Sequence, residues 1–318
     1  MRIASAILLC TTAVFAQPQH EVVPDWPKLP ENHVLGLCAG VGVDAQNRVF
    51  VFHRSGRKWS NPFPTEPIAK PTVSVIDGAT GKLLSSWGEN RFIMPHGLTV
   101  DHEGNLWLTD VGLHQVFKCT PEGKVLLTLG ERAKPGNDHA HFNLPTDVAV
   151  LRDGSFYVSD GYKNTRVMKF SAEGKFEFEW GAKGKGAGEF HLPHGIAIDT
   201  QGHVIVCDRE NERLQVFDAK GAFLDVWKGP KIGKPYGIET GSNGHLFVID
   251  GGSPSLKPEL RGKAVELDAE GEVIDTFGSF GKEPGQFQLG HDIAVGPDGA
   301  VYVAEGTGAR VQKFVQKK

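Results

Sequence analysis

Three histidines recur at one place in a repeating phrase: His96 in "MPHGLTVD", His194 in "LPHGIAID" and His291 in "LGHDIAV". Neutral imidazole is the commonest side-chain ligand for transition metals, and it also moves protons near neutral pH. Three imidazoles brought to one point would form a zinc site with a fourth position left for water or substrate. Whether they meet depends on the repeat. Alignment of the segments that carry them gives one column, at the entrance to an inner strand, reading Ala39, His96, Thr146, His194, Tyr236, His291. The histidines occupy alternate units. In a closed ring of six, alternate units lie about 120° apart, so three inner side chains converge on the axis. The competing reading is three packed core histidines, and alternation in a six-fold column argues against it.

A second column ends the next strand, which runs antiparallel and returns to the same face. It holds Arg54 ("FVFHR"), Tyr162 ("VSDGY") and Arg209 ("CDRE"). Arginine can grip a carboxylate through two parallel hydrogen bonds, and a tyrosine beside a cation or a metal can act as a base. These three are expected to rim the histidine mouth. By contrast, Arg166, Arg213 and Arg310 recur at the starts of third strands, and Asp110, Asp160, Asp208 and Asp250 close second strands. Recurrence in equivalent units assigns them to upkeep of the repeat. His53 stands in that acidic column without an assignment.

The elements that must position these columns are short strands. Each unit, about 42 to 55 residues long, opens with an alternating run such as "GLTVD", turns at a glycine ("HEGN", "RDGS", "TQGH") and returns as "LWLTD", "FYVSD" or "VIVCD". A third strand ("RVMKF", "RLQVF") and a fourth ("FEFEW", "VIDTF") follow, and helical periodicity is absent. The expectation is an all-β fold, a six-bladed β-propeller over residues 34–318. The last unit stops after its third strand, so residues from about 21 to 35 are expected to supply or cover its outer edge, where Pro24 and Pro27 are tolerable. Segments 55–72 and 251–262 break the period and read as lids or rims.

At 318 residues, 40% hydrophobic, 23% charged and with a net charge of -4, the chain has no basic run to invite nucleic acid. Residues 1–16 read as a secretory signal peptide cut after Ala16, with 17–33 an N-terminal segment, so a secreted or periplasmic protein is expected. No later segment approaches the roughly 20 apolar residues a membrane span needs. Cys38, Cys119 and Cys207 would remain, an odd number without CxxC spacing, which signals neither a disulfide framework nor a thiolate zinc site. A monomer is expected.

The phrases "NRVFVFHR", "PHGLTVDHEGNLWLTDVGLHQVFK", "FYVSDGYKNTRVMKF", "PHGIAID", "CDRENERLQVF" and "GHDIAV" together resemble the peptidyl-α-hydroxyglycine α-amidating lyase family, an NHL-repeat β-propeller that forms the second catalytic half of the peptide-amidating enzyme. The resemblance runs from about residue 34 to the end, and the chain has no room for the copper monooxygenase half. It implies zinc on His96, His194 and His291, catalytic Arg54 and Tyr162, and a substrate contact at Arg209. It also implies a structural calcium on Asp292 and the backbone carbonyls of Val41 and Leu98, oxygen ligands that suit this ion. The implied reaction splits the carbon-nitrogen bond of a peptide or small α-hydroxyglycine to an amide and glyoxylate, without consuming water.

There are departures. The paired cysteines of animal members fall on Asn143 with Lys163 and on Ile205 with Val216, and Gly290 stands where proline is expected. Two other readings stand beside the resemblance: a non-catalytic NHL propeller that binds a protein or envelope ligand, and a metal-dependent propeller hydrolase such as a lactonase. Calcium lactonases rely on carboxylate and Asn ligands, whereas an imidazole column favours zinc.

Overall fold

The computed structural model describes residues 19–252 and 261–317. The signal-like residues 1–16, and 253–260 of the second insertion, lie outside the described residues. Second strands such as Leu106–Asp110, Phe156–Asp160 and Val204–Asp208 are buried at every position. Continuous apolar runs of this kind suit strands covered on both faces by neighbouring sheets. Fourth strands such as Phe176–Trp180 alternate between exposed and half-buried positions and form the outer rim.

The result is six four-stranded antiparallel sheets. Their inner strands, which define blades 1 to 6 in chain order, are Cys38–Val43, Pro95–Val100, Pro145–Val150, Pro193–Ile198, Pro235–Thr240 and Gly290–Val295. Each packs against the inner strand of the next blade, and the sixth packs against the first. The chain is therefore a closed six-bladed β-propeller. Among the described residues the only helical element is a 3-10 turn, Arg209–Asn211, and no helix is long and apolar enough to cross a membrane.

Blade 6 takes its fourth strand from the other end of the chain. His20–Val22 pairs antiparallel with Arg310–Gln316, with Glu21 opposite Val315. The segment 17–33, set apart in the sequence, thus contributes a strand to the last sheet. Trp26 then packs on Tyr302 of blade 6, and the Lys28 amide donates to the Gly81 carbonyl of blade 1, so this segment crosses the seam.

The recurring arginines and acids clamp the loops between blades. Arg213 Nε donates to Asp208, while its terminal nitrogens donate to the carbonyls of Lys185, Gly186 and Glu189; Arg310 repeats the pattern with Glu305, Lys282, Glu283 and Gln286. Asp110, which has no such arginine, accepts the amides of Ile93, Met94, Gly112 and Leu113 instead. His53 bonds Ser74 Oγ at 2.8 Å, and burial pushes its pKa down to about 3, a structural position. Cys38, Cys119 and Cys207 are buried free thiols. Ile205 faces Val216 across paired strands, and the Lys163 amide donates to the Asn143 carbonyl, so both positions that carry cysteine pairs in animal members are neighbours without a disulfide.

Candidate active site

Every inner strand slips register against its second strand near its first residues, between Cys38 and Gly40, Pro95 and Leu98, Pro145 and Asp147, Pro193 and Ile196, Pro235 and Gly237, and Gly290 and Asp292. A bulge bends a strand locally and re-aims a side chain. The column read from the sequence falls inside this irregularity, which turns His96, His194 and His291 onto the axis. Their ring centroids form a near-equilateral triangle with sides of 4.7, 4.8 and 4.9 Å. One nitrogen from each lies within 4.8 Å of the other two.

The other nitrogen of each ring is held. Nδ1 donates to a backbone carbonyl in all three: His96 to Thr146 at 2.8 Å, His194 to Tyr236 at 2.7 Å and His291 to Ala39 at 2.7 Å. This fixes the tautomer and leaves each Nε2 as a lone-pair donor. Burial holds the His96 and His194 pKa values well below the ordinary range, helped at His96 by His291 and Arg54 and at His194 by Arg209. His291 is pushed to about 3, by burial first and then by Arg54. Three neutral imidazoles with oriented lone pairs fit zinc, and the side of the trio toward Tyr162 stays open.

The accepting carbonyls belong to the blades that carry no histidine, which explains the glycine after His96 and His194. A Cβ on Gly97 would stand 2.4 Å from the Thr146 oxygen, and one on Gly195 would stand 2.7 Å from the Tyr236 oxygen. Gly97→Ala is expected to destabilise the fold by about 2–3 kcal/mol through this clash and to weaken metal retention by displacing the acceptor of His96. Denaturant unfolding and metal analysis of the same sample check this; an unchanged midpoint with full metal would contradict it.

Arg54, Tyr162 and Arg209 line a cavity of about 220 Å³ over the trio, together with Trp59, Tyr236 and His291. The Tyr162 hydroxyl donates to His96 Nε2 at 3.0 Å and stands 3.4 Å from His194 Nε2 and 3.4 Å from Arg209 Nη1. Arg209 is fixed by Glu210 at 3.0 Å, which Lys234 holds in turn at 2.7 Å, and its guanidinium lies over the Tyr236 ring. Arg54 is 5% exposed and donates Nε to the Pro95 carbonyl, yet among the described residues it has no carboxylate ion-pair partner. Burial lowers its pKa, opposed by Tyr162 and Asp110. A buried guanidinium without a counter-ion at a cavity wall is a receptor for an anion.

Trp59 and Tyr236 join the cavity wall without a role assigned from the sequence. Trp59, from the 55–72 insertion, is 42% exposed and lies 5.1 Å from the Tyr162 ring and 5.2 Å from the Arg54 guanidinium. Tyr236 stands in the histidine column, which is its signal in the sequence.

Below the trio, the Val41 amide donates to Asp292 Oδ2 at 2.9 Å, and Gly40 packs closely on Leu98, so the three residues implied for calcium lie on adjoining inner strands of blades 6, 1 and 2. Asp147 follows Thr146 as Asp292 follows His291. Its carboxylate accepts the amides of Val148 and Ile196. Burial, and repulsion from Asp147, push the Asp292 pKa well above the carboxylate range. Two buried carboxylates served only by backbone amides and a threonine hydroxyl fit a hard cation.

A protein family described as a 6-bladed beta-propeller matches residues 137–284. Among curated relatives, Drosophila melanogaster peptidyl-alpha-hydroxyglycine alpha-amidating lyase 2 is 36% identical over 94% of this chain and 76% of its own length. Xenopus laevis peptidyl-glycine alpha-amidating monooxygenase B is 38% identical over 92% of this chain, which spans 35% of that protein's length. Among solved structures, a gluconolactonase from Xanthomonas campestris covers 89% of this chain and 88% of its own with a TM-score of 0.60 at 15% identity, a likeness of fold alone.

Proposed function

Because the chain belongs to the peptidyl-α-hydroxyglycine α-amidating lyase family and is a lyase on that ground, we propose that it cleaves the carbon-nitrogen bond of an α-hydroxyglycine substrate to an amide and glyoxylate, with zinc at the axis. The observation that carries this reading is the Tyr162 hydroxyl, 3.0 Å from His96 Nε2 and flanked by Arg209, above three neutral imidazoles whose lone pairs converge.

His96, His194 and His291 would hold zinc through Nε2, and zinc so bound supplies Lewis-acid polarisation of the substrate α-hydroxyl. Arg54, lacking a carboxylate of its own, would take the substrate carboxylate, and Arg209 would close on it from the Tyr236 side. With His96 Nε2 committed to the metal, Tyr162 would act as a phenolate beside the Arg209 guanidinium and accept the hydroxyl proton. As the carbon-oxygen double bond forms, the carbon-nitrogen bond breaks and its electron pair leaves with the amide nitrogen. Tyr162 would return the proton there, so no water is consumed and the base is regenerated. Trp59 shields this side from solvent.

The test is glyoxylate release from α-hydroxyhippurate by the zinc-loaded chain. Release at an enzymatic rate supports the reading; a folded, zinc-loaded chain that releases none overturns it for this substrate class. The peptide or small carbinolamide used in nature would be set by Trp59 and the rims. The signal-like residues 1–16 support action outside the cytoplasm.

Calcium on Asp292 and the Val41 and Leu98 carbonyls belongs to the same proposal. Saturating calcium is expected to raise the melting temperature of the chelator-treated chain by about 5 °C. Asp292→Asn should melt at one temperature with and without the ion. An equal calcium shift in both chains would remove Asp292 from the site.

A further inference from the structure

Outside the axial site three of the six blades share one pairing between second and third strands, at a position where blades 1 and 4 carry Val75 and Val216. Lys118 in blade 2 sits over Trp107, Lys169 in blade 3 over Tyr157 and Lys313 in blade 6 over Tyr302, each paired with its aromatic across the second and third strands. Blade 5 inverts the charge. Opposite Phe247 it carries Glu266, and directly opposite Glu266 on the fourth strand stands Asp275. Both are buried, at 2% and 7% exposure. Like charges in directly opposed register destabilise a sheet, and burial makes the cost larger.

The closing strand inserts His20 against this pair. Its Nδ1 lies 2.8 Å from Asp275 Oδ2 and 3.9 Å from Glu266 Oε2, and His245 Nδ1 holds the other Glu266 oxygen at 2.6 Å. His20 Nε2 and Glu266 Oε2 are both buried without a hydrogen-bond partner. A cation held among these three side chains would engage the free Glu266 oxygen and separate the two opposed carboxylates.

We infer that His20, Glu266 and Asp275 form a second site for a divalent transition metal of the zinc class, which fastens the closing strand of blade 6 to blade 5. One ligand atom from each lies within 4.8 Å of the others, and the His20 Nδ1 separations of 2.8 and 3.9 Å bracket the roughly 3.3 Å between neighbouring ligands around tetrahedral zinc. Two carboxylates match the charge of the ion, and mixed nitrogen and oxygen donors favour zinc over calcium. His245 is the outer partner that orients Glu266.

The test is zinc stoichiometry of the full chain, stripped with chelator, held in saturating calcium and retitrated with zinc. The parent should take two equivalents. His20→Gln and Glu266→Lys should each take one and keep parental glyoxylate release. Glu266→Lys restores the lysine found in blades 2, 3 and 6, so it should fold and melt at a temperature indifferent to the second equivalent, which raises the parent by about 5 °C. His194→Ala, crippled at the axis, should still take one. If zinc does not occupy the axis at all, the parent takes one equivalent that survives His194→Ala and vanishes in Glu266→Lys, which leaves this inference standing. A parent that takes none, a single equivalent lost in His194→Ala, or a Glu266→Lys chain that binds as much zinc as the parent overturns it.

Discussion

Glyoxylate release should fall by at least about a thousand-fold in a His194→Ala chain, equivalent to about 4 kcal/mol of lost transition-state stabilisation. Two imidazoles do not make a stable open zinc site, so the loss should appear first as metal content. The substitution also frees the Tyr236 carbonyl of its donor and removes one of the two imidazoles beside the Tyr162 hydroxyl, so substrate orientation suffers together with metal binding. The ring of blades is held by strand pairing and by the arginine clamps, none of which involves His194, so the melting profile in chelator should stay close to the parent's. Activity and zinc should therefore fall together while the fold persists. Full activity in a chain shown to have lost axial zinc would sink the metal reading.

Tyr162→Phe separates proton transfer from metal binding. Removal of a general base costs about 10² to 10⁴ in rate, and the loss should fall on kcat, with KM changed little. The phenyl ring keeps its place between Trp59 and the Arg209 guanidinium, since those contacts use the ring and not the hydroxyl. Zinc content should equal the parent's, because the histidine tautomers are fixed from behind by backbone carbonyls. A decline smaller than ten-fold would mean that another group accepts the proton.

Propeller repeats made most of this legible. The position of a residue within its unit determines its radius and its face, so His96, His194 and His291 could be placed on the axis, and Arg54, Tyr162 and Arg209 at its mouth, from spacing alone. What spacing does not carry is contact between units. Trp59 reaches Tyr162 from the 55–72 insertion, which breaks the period and so carries no column position. Asp147 and Asp292, whose carboxylates repel each other, stand in blades 3 and 6. The closing strand begins at His20, just before the expected range, because Asp275 and Glu266 engage that side chain, and no local pattern in the first residues announces partners some 250 positions away.

The carbonyls of Ala39, Thr146 and Tyr236 orient the histidines through main-chain atoms, which any amino acid supplies. The ring thus resolves into two interleaved triplets, one committed by its side chains and the other only by its backbone. In the second triplet the side chains are at liberty to diverge. Ala39 and Tyr236 already face the cavity, whereas Thr146 turns away to the Ser159 and Pro193 carbonyls. Drift or selection at positions 39 and 236 could refashion what the cavity admits while the histidine triplet and its orienting carbonyls are inherited intact.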